Sequence, residues 1–325
     1  MYNENCSPTV TNCTFSGNTA YYYGGGMRNF NGSPTVNNCT FSGNTAEYRG
    51  GGMYNYNNGG PSGSPTVNNC TFSGNTAEYR GGGMYNYNNG GPSGSPTVTN
   101  CAFSGNTADS GGGMYSRSAT VSNCIFWDNS APVGDEIYSR IYGSPTFSHC
   151  DIRGSGGSGA LWNPALGADG GGNIGADQRF VAPATPAGPD GLWRTRDDGL
   201  RLRPDSPCIG AADPAVAPQT DILGLPRKTA PDIGAYEFPS GGYCTLTYNA
   251  GAGGSISGAT PQTVASGADG SEVTAVPNAG YRFVRWSDGV MTASRTDTNV
   301  TADINVTAVF AHLKPAAVQD WSLYE

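Results

Sequence analysis

The sequence predicts an all-β chain in which a tube of stacked parallel coils is followed by a small β module. Three observations predict it. A unit of 23–31 residues recurs through the first half, the composition is rich in turn formers, and the pattern changes near residue 240 to longer alternating strands. A repeat of this length marks a solenoid, because one unit cannot bury its own apolar face and must stack on its neighbours.

The unit reads Ser-Pro-Thr-Val-x-Asn-Cys-x-Phe-x-x-Asn, then a short polar stretch, then Gly-Gly-Gly-Met-Tyr. Its Cys recurs at Cys13, Cys39, Cys70, Cys101, Cys124 and Cys150, at spacings of 26, 31, 31, 23 and 26 residues. Segments 33–63 and 64–94 are identical in all 31 residues, as recent duplication of an interchangeable module would leave them. Each unit holds three short strand candidates between turn residues, as in Gly52 to Asn55, Pro34 to Asn37 and Cys39 to Phe41. Side chains alternate along a strand, so Val36 faces inward while Thr35 and Asn37 face outward. Cys39 and Phe41 also face inward, yet Val36 and Cys39 are three residues apart, so alternation breaks at Asn38. Asn tolerates the left-handed backbone better than most residues, and Asn38 is therefore expected to bend the chain. Three strands and three bends make a triangular coil, with Met, Val, Cys and Phe stacking as interior ladders about 4.8 Å apart. Differences in unit length are expected in the bend from Tyr56 to Gly63.

Composition narrows the function. The 325 residues include 50 Gly, 18 Tyr, 22 Pro and two His, with 13% charged. Gly costs roughly 1 kcal/mol per helical position relative to Ala, so this mixture suits turns and strands. The net charge is −8 and the 17 Lys and Arg form no basic stripe, which excludes nucleic acid as an expected partner. No run of 18 apolar residues is present, so no membrane-spanning helix is expected. In-register Cys on parallel strands have parallel Cβ vectors, so the column reads as small buried hydrophobes and not as disulfides. Without Cys-x-x-Cys or paired His beside it, neither a metal site nor a cofactor is expected.

Phe-Ser-Gly-Asn at Phe15–Asn18, Phe41–Asn44, Phe72–Asn75 and Phe103–Asn106, with Phe126–Asn129, is followed in most copies by Gly-Gly-Gly-Met. These units resemble the repeats of polymorphic outer-membrane proteins, which carry Phe-x-x-Asn and Gly-Gly-Ala-aliphatic in β-helical passenger domains of surface adhesins. The chain has Gly where that family has Ala, and no counterpart of that family's membrane barrel is read in these residues, so adhesion is implied and the autotransporter route is not. The resemblance covers about residues 1–154 and implies a right-handed parallel β-helix and adhesion. Gly175-Ala-Asp-Gln-Arg-Phe180, Asp205-Ser-Pro-Cys208, Asp221-Ile-Leu-Gly224-Leu-Pro-Arg227 and Asp232-Ile-Gly-Ala-Tyr-Glu237 resemble the closing region of bacterial right-handed β-helix surface proteins. Residues 155–240 are thus expected to form irregular last coils and a cap that covers the open edge. Asp221, Arg227, Asp232 and Glu237 are expected to pair or to bond backbone there. From Tyr243, strand candidates Cys244–Tyr248, Glu272–Val276, Tyr281–Trp286 and Ile304–Phe310 follow. Gly280-Tyr-x-Phe-x-x-Trp286 and Val-Thr-Ala-x-Phe resemble internalin B-repeat-like modules, which are small and β-grasp-like and serve as spacers or weak binders. That module is expected over 241–311, with Tyr281, Phe283 and Trp286 in its core and a tail over 312–325. Met1-Tyr-Asn3 aligns with Met53-Tyr-Asn55, so the chain opens halfway through a repeat without a signal peptide. Further coils and an export signal are expected upstream.

These readings point to a non-catalytic extracellular or bacterial cell-surface protein, adhesin-like, with glycans or surface proteins as partners. Tyr22, Tyr48 and Tyr79 precede the Gly-rich strand, and Tyr54, Tyr85 and Tyr115 follow it. Stacked rings beside Asn55 and Asn86 (with Asn57 and Asn88) would suit hydroxyl-rich ligands; the competing reading is that the rings only cover coil edges. Glu47, Arg49, Glu78 and Arg80 are expected to form a surface ion-pair ladder. The alternative function is a polysaccharide lyase or glycoside hydrolase acting on acidic polysaccharide, with Asp128, Asp135, Glu136 and Asp151 the richest acidic cluster. A remoter one is ice binding through Thr9-Val-Thr11 and Thr97-Val-Thr99, whose register is interrupted by Asn37, Asn68, Ser122 and Ser148.

Overall fold

The computed structural model describes residues 1–58, 63–89, 95–139, 144–239 and 241–313. The chain forms two compact units, Met1–Phe238 and a second one from Pro239 onward. The expected tail lies outside the described residues beyond Leu313, as do positions 59–62 of the expected length-absorbing bend; Tyr56 and Asn57 instead prolong a strand, Met53–Asn57.

The first unit is a parallel stack. One sheet runs through Tyr2–Glu4, Met27–Phe30, Met53–Asn57, Met84–Asn88, Met114–Ser116 and Ile137–Ser139. A second runs from Thr9–Thr11 through Thr35–Asn37 and on to Thr146–Ser148 and Ala168–Asp169. A third joins Thr14–Ser16, Thr40–Ser42, Thr71–Ser73, Ala102–Ser104, Ile125–Trp127 and Asp151–Ile152. Each strand pairs in register with its counterpart one coil away: Val36 with Val67, Phe41 with Phe72, Met53 with Met84. The expected triangle lacked one element. Thr19–Ala20, Thr45–Ala46 and Thr76–Ala77 make a fourth, two-residue strip, continued by bridges to Thr107 and Ser130.

The bend residues behave as the broken alternation requires. Asn12, Asn38, Asn69, Asn100 and Asn123 have φ of 49–57°, and His149 takes the same place at 50°. The bend lets Val36, Cys39 and Phe41 all reach the interior, where each is fully buried. Phe41 stacks on Phe72 at 4.7 Å and Phe72 on Phe103 at 4.6 Å. Cys39, Cys70, Cys101, Cys124 and Cys150 are buried free thiols, while Cys13 is exposed. Each thiol donates to the carbonyl two residues before it (3.1 Å from Cys39 to Asn37), and the N–H of Cys39, Cys70, Cys101 and Cys124 meets the next Sγ at 3.3–3.4 Å, while that of Cys150 donates to Asn173 Oδ1 at 2.9 Å. Glycine is forced at Gly51, where a Cβ would lie 2.4 Å from the Thr76 carbonyl and 2.6 Å from that of Gly82 in the next coil.

Polar ladders share the interior. Asn18, Asn44, Asn75, Asn106 and Asn129 pass Nδ2–H to Oδ1 from coil to coil at 2.8–2.9 Å. From Asn44 on, each also donates to a Phe carbonyl, as Asn75 does to Phe41 at 2.9 Å. Asn3, Asn29, Asn55 and Asn86 form a second such ladder at 2.7–2.8 Å.

Residues 155–238, expected as irregular last coils and a cap over the open edge, do two jobs. Trp162 and Leu166 pack on the end of the interior cluster beside Phe147, and so cover the stack's last coil. The chain beyond 176 packs instead against the flank: Phe180, Leu200, Leu202, Cys208, Ile222, Ile233 and Tyr236 bury Ala102 and Ile125 on the third sheet's outer side. The bend Asn column docks it, Asn69 donating to Thr220 O (2.7 Å), Asn100 to Asp232 O (3.0 Å) and Asn123 to Asp213 O (3.0 Å). Arg227 pairs with Glu237 at 3.0 Å, both buried, while Asp221 and Asp232 accept backbone N–H groups, the roles expected of these residues.

The second unit has a four-stranded sheet ordered Gln262–Ala265, Tyr243–Ala250, Ile304–His312, Tyr281–Trp286, with the central pair parallel. Gly254–Ser257, Val273–Pro277 and Ser294–Arg295 form another. Trp286 is fully buried among Leu246, Tyr248, Val273 and Ala308, with Phe283 partly buried against them.

Replacing Asn75 by Ala removes the acceptor shared by the Asn44 backbone N–H and Nδ2–H, together with one donor to the Phe41 carbonyl. We expect a loss of roughly 3 kcal/mol or more in guanidinium melts, since each orphaned buried group costs about 1–3 kcal/mol. Asn12→Gly, at an exposed bend already left-handed, is expected to leave the midpoint unchanged.

Candidate functional site

The side of the first sheet facing away from the interior is an aromatic surface. Alternation along Met53–Asn57 turns Met53 and Asn55 into the tube and Tyr54 and Tyr56 out of it. In-register stacking makes two rows. Tyr54, Tyr85, Tyr115 and Tyr138 succeed one another at 5.1, 5.0 and 5.3 Å, and Tyr56 stands 5.3 Å from Tyr87 beside them. The tight Gly turn then carries Arg49 and Arg80 across these rings. Their guanidinium carbons lie 5.5 Å from the Tyr85 centroid and 5.2 Å from that of Tyr115, and Arg117 lies 4.6 Å from Tyr87. Such contacts contribute roughly 0.5–2 kcal/mol each.

The rings that face solvent are others. Tyr22, Tyr48 and Tyr79 are 53%, 37% and 45% exposed and form a row at 5.5 and 5.4 Å, with Tyr21 edge-on to Tyr22. Glu47 and Glu78 precede two of them and are exposed. The row ends at the next coil, where the backbone register sets Asp109 against Tyr79.

The eight residues expected to bind a ligand therefore part company. Tyr22, Tyr48 and Tyr79 lie together at the surface. Tyr54, Tyr85 and Tyr115 are 4%, 1% and 1% exposed, sealed by neighbouring rings and arginines, and burial raises the Tyr85 hydroxyl pKa to about 12. Asn55 and Asn86 are buried in the second amide ladder. These five cannot meet a ligand, because the alternation that exposes a ring edge turns its Asn neighbours inward. Nor do Glu47 and Glu78 pair with Arg49 and Arg80 among the described residues; the guanidinium groups lie on tyrosine faces instead. On the Thr face, Thr9 and Thr11 are both exposed, whereas Thr99 is buried beside the exposed Thr97, so the second pair presents one hydroxyl where two were expected.

Residues 1–126 and 61–164 match the family model of the right-handed β-helix region, which spans half of the chain. The chain belongs to the right-handed β-helix family. Residues 244–314 match the divergent InlB B-repeat domain. No curated protein matches the chain. A right-handed β-helix joined to an InlB B-repeat domain suggests a surface protein. The fold itself is found in polysaccharide-active enzymes and in non-enzymes alike, so the carboxylates must be judged on their own geometry.

In this β-helix the four residues of the acidic cluster serve separate ends. Glu136 is buried, and its Oε2 accepts the last amide of the first Asn ladder, Asn129 Nδ2–H, at 2.5 Å. Arg153 bridges two of these carboxylates, Nε 3.0 Å from Glu136 and Nη1 3.0 Å from Asp128. Asp135 accepts the Ala131 N–H at 3.1 Å. Asp151 is buried between the stack and the flanking chain, where it accepts the Ala176 N–H and the Cys208 thiol. Among the described residues, no group of three or more His, Cys, Asp or Glu could hold a metal ion.

Burial raises the pKa of Glu136 and Asp151 to about 7, and of Asp198 and Asp232 to about 6. The folded β-helix therefore keeps protons that the unfolded chain sheds above pH 4. The stability they contribute is fully present below about pH 4 and is lost as pH rises through 6 to 7. Thermal melts are expected to give a higher midpoint at pH 5 than at pH 8, with Glu136→Gln plus Asp151→Asn flattening the difference. A higher midpoint at pH 8 would contradict this assignment.

Proposed function

We propose that the protein is a non-catalytic, adhesin-like protein of the bacterial exterior, whose β-helix holds Tyr22, Tyr48 and Tyr79 out as a contact row for glycans or neighbouring surface proteins. The observation that carries this reading is the exposed row itself. Three half-exposed rings at 5.4–5.5 Å are an apolar surface that a monomer gains little by displaying, while a sugar face or an apolar side chain would bury it. The rigid stack beneath fixes ring spacing, so little ordering entropy is lost on contact. The match to an InlB B-repeat domain supports the same reading, since such modules serve as spacers or weak binders on surface proteins.

The carboxylates support it from the other side. Those of the acidic cluster end a ladder, take an ion pair, or accept backbone N–H groups, and Arg153 is paired with two of them.

The test is a Tyr48→Ala plus Tyr79→Ala variant on glycan arrays and on whole cells. We expect at least a ten-fold loss of retention with an unchanged melting temperature, because both rings stand at the surface. Tyr54→Ala, by contrast, is expected to cost about 3 kcal/mol of stability, as for other buried aromatic truncations. Undiminished retention in the double variant would discard the row. Incubation with pectin and alginate is expected to release no unsaturated or reducing product, and release of either would establish an enzyme.

A further inference from the structure

Where the third sheet ends, four coils carry Ser-Gly: Ser16-Gly17, Ser42-Gly43, Ser73-Gly74 and Ser104-Gly105, the glycines at φ of 61–67°. The fifth coil departs from this. It places Trp127-Asp128 there, and Asp128 keeps the left-handed turn at φ 58° despite its side chain. Opposite, the flanking chain passes through Asp177 to Phe180 with Arg179 also left-handed, at φ 53°. Two side-chain-bearing residues held where glycine is the easy choice, on facing segments, are a pattern that accompanies binding sites. Between them lies a cleft of about 400 Å³ lined by Trp127, Asp128, Asp177, Gln178 and Arg203, with Phe180 at its wall. That volume lies within the range of small-molecule sites.

The polar groups of the cleft have spare capacity. Gln178 is 3% exposed, and its Oε1 is buried with no hydrogen-bond partner. A buried acceptor left unmatched is costly unless something donates to it. Arg203 reaches the Val181 carbonyl at 3.3 Å and pairs with no carboxylate among the described residues. Asp128 meets Arg153 at 3.0 Å on one oxygen, and Asp177 accepts the Arg179 N–H at 2.9 Å on one. Arg179 itself is engaged by Asp205. Two carboxylates and two guanidinium groups line the cleft, so its charges balance, and an anionic ligand gains no net attraction.

We propose that this cleft is a binding site for a neutral saccharide, one ring lying against the half-buried Trp127 with its hydroxyls donating to Asp128, Asp177 and Gln178 and accepting from Arg203. An aromatic face matches the C–H side of a sugar ring, and carboxylates beside guanidinium groups match the donor and acceptor sides of its hydroxyls. The site shares a ligand class with the tyrosine row but no residue, and it stands or falls separately.

The experiment restores the sequence of the other coils. Trp127→Ser plus Asp128→Gly keeps the turn that four coils already fold with but gives up Trp127 packing on the flanking cluster, so a modest fall in melting temperature is expected. Gln178→Ala, which removes an Oε1 that makes no hydrogen bond, serves as the second variant. The full chain is probed by saturation-transfer NMR and calorimetry with cellobiose, lactose, mannobiose and chitobiose as neutral sugars and digalacturonate as the acidic one. At least one neutral disaccharide is expected to bind the parent chain and the Tyr48→Ala plus Tyr79→Ala variant equally. Affinity is expected to fall at least ten-fold in the restored variant and in Gln178→Ala. Binding of none of the neutral sugars, binding undiminished in the restored variant, or preference for digalacturonate would each overturn the proposal. Loss in the tyrosine variant alone would assign the sugar to the row and also overturn it.

Discussion

The amide ladder inside the tube is the interaction on which the rest of this structure depends. Each Asn from Asn44 to Asn106 has its Oδ1 taken by the coil before and its Nδ2–H given to the coil after, with a Phe carbonyl as second acceptor. Such a buried amide is satisfied only if coils stack in register, with the same residue one strand spacing above and below. Hydrophobic ladders of Val, Cys and Phe tolerate a slip of position far better than this row does. Register in turn sets everything outside: the spacing of the tyrosines, the line of bend asparagines that docks the flanking chain, and the place where the ladder must end. It ends on Glu136, whose carboxylate accepts from Asn129. A buried acid beside a strand end invites a catalytic reading; here it is the terminal acceptor of a polar column.

How far this was legible in the sequence follows from how local each determinant is. Val36, Cys39 and Phe41 gave the interior, and their spacing alone placed a left-handed bend at Asn38, where φ is 52°. That inference needed only alternation and the Ramachandran preferences of Asn. The Thr-Ala strip escaped because two residues carry no periodicity, and it exists only through pairing with its copies. Asn55 and Asn86 were misplaced for a different reason. Polar residues read as outward-facing by default, and nothing within one repeat announces that an Asn can be satisfied by its own image in the next coil. Arg49 likewise lies on tyrosine faces, not on Glu47, because the glycine turn folds it back over Tyr85.

The flanking chain was the least legible part. Residues 176–238 contain almost no regular strand, and their anchors are single side chains far away in sequence, such as Arg227 on Asn69 and Asp213 on Asn123. Asp221, Asp232 and Glu237 were nonetheless readable as structural, because closely spaced acids around one Arg in a segment without strand pattern can satisfy backbone N–H groups that no strand pairs. The structure adds what they are structural for: they fasten irregular chain to the side of the stack, while Trp162 and Leu166 close its end.

Repetition and departure from it divide the labour of the surface. Identical coils can only produce rows, and a row such as Tyr22, Tyr48 and Tyr79, in the role proposed for it, would offer weak, equivalent contacts whose strength grows with the number of coils engaged. A site that recognises one ligand in one pose needs unlike groups converging, which a repeat cannot supply from itself. In this chain such convergence occurs where the pattern lapses, at Trp127-Asp128, and where non-repeating chain from Asp177 to Arg203 comes back over the stack. The conformational cost of Asp128 at a glycine's φ is consistent with that division, since four neighbouring coils show the turn folds without it. Rows are inherited from duplication; a cleft has to be made by breaking the duplicate.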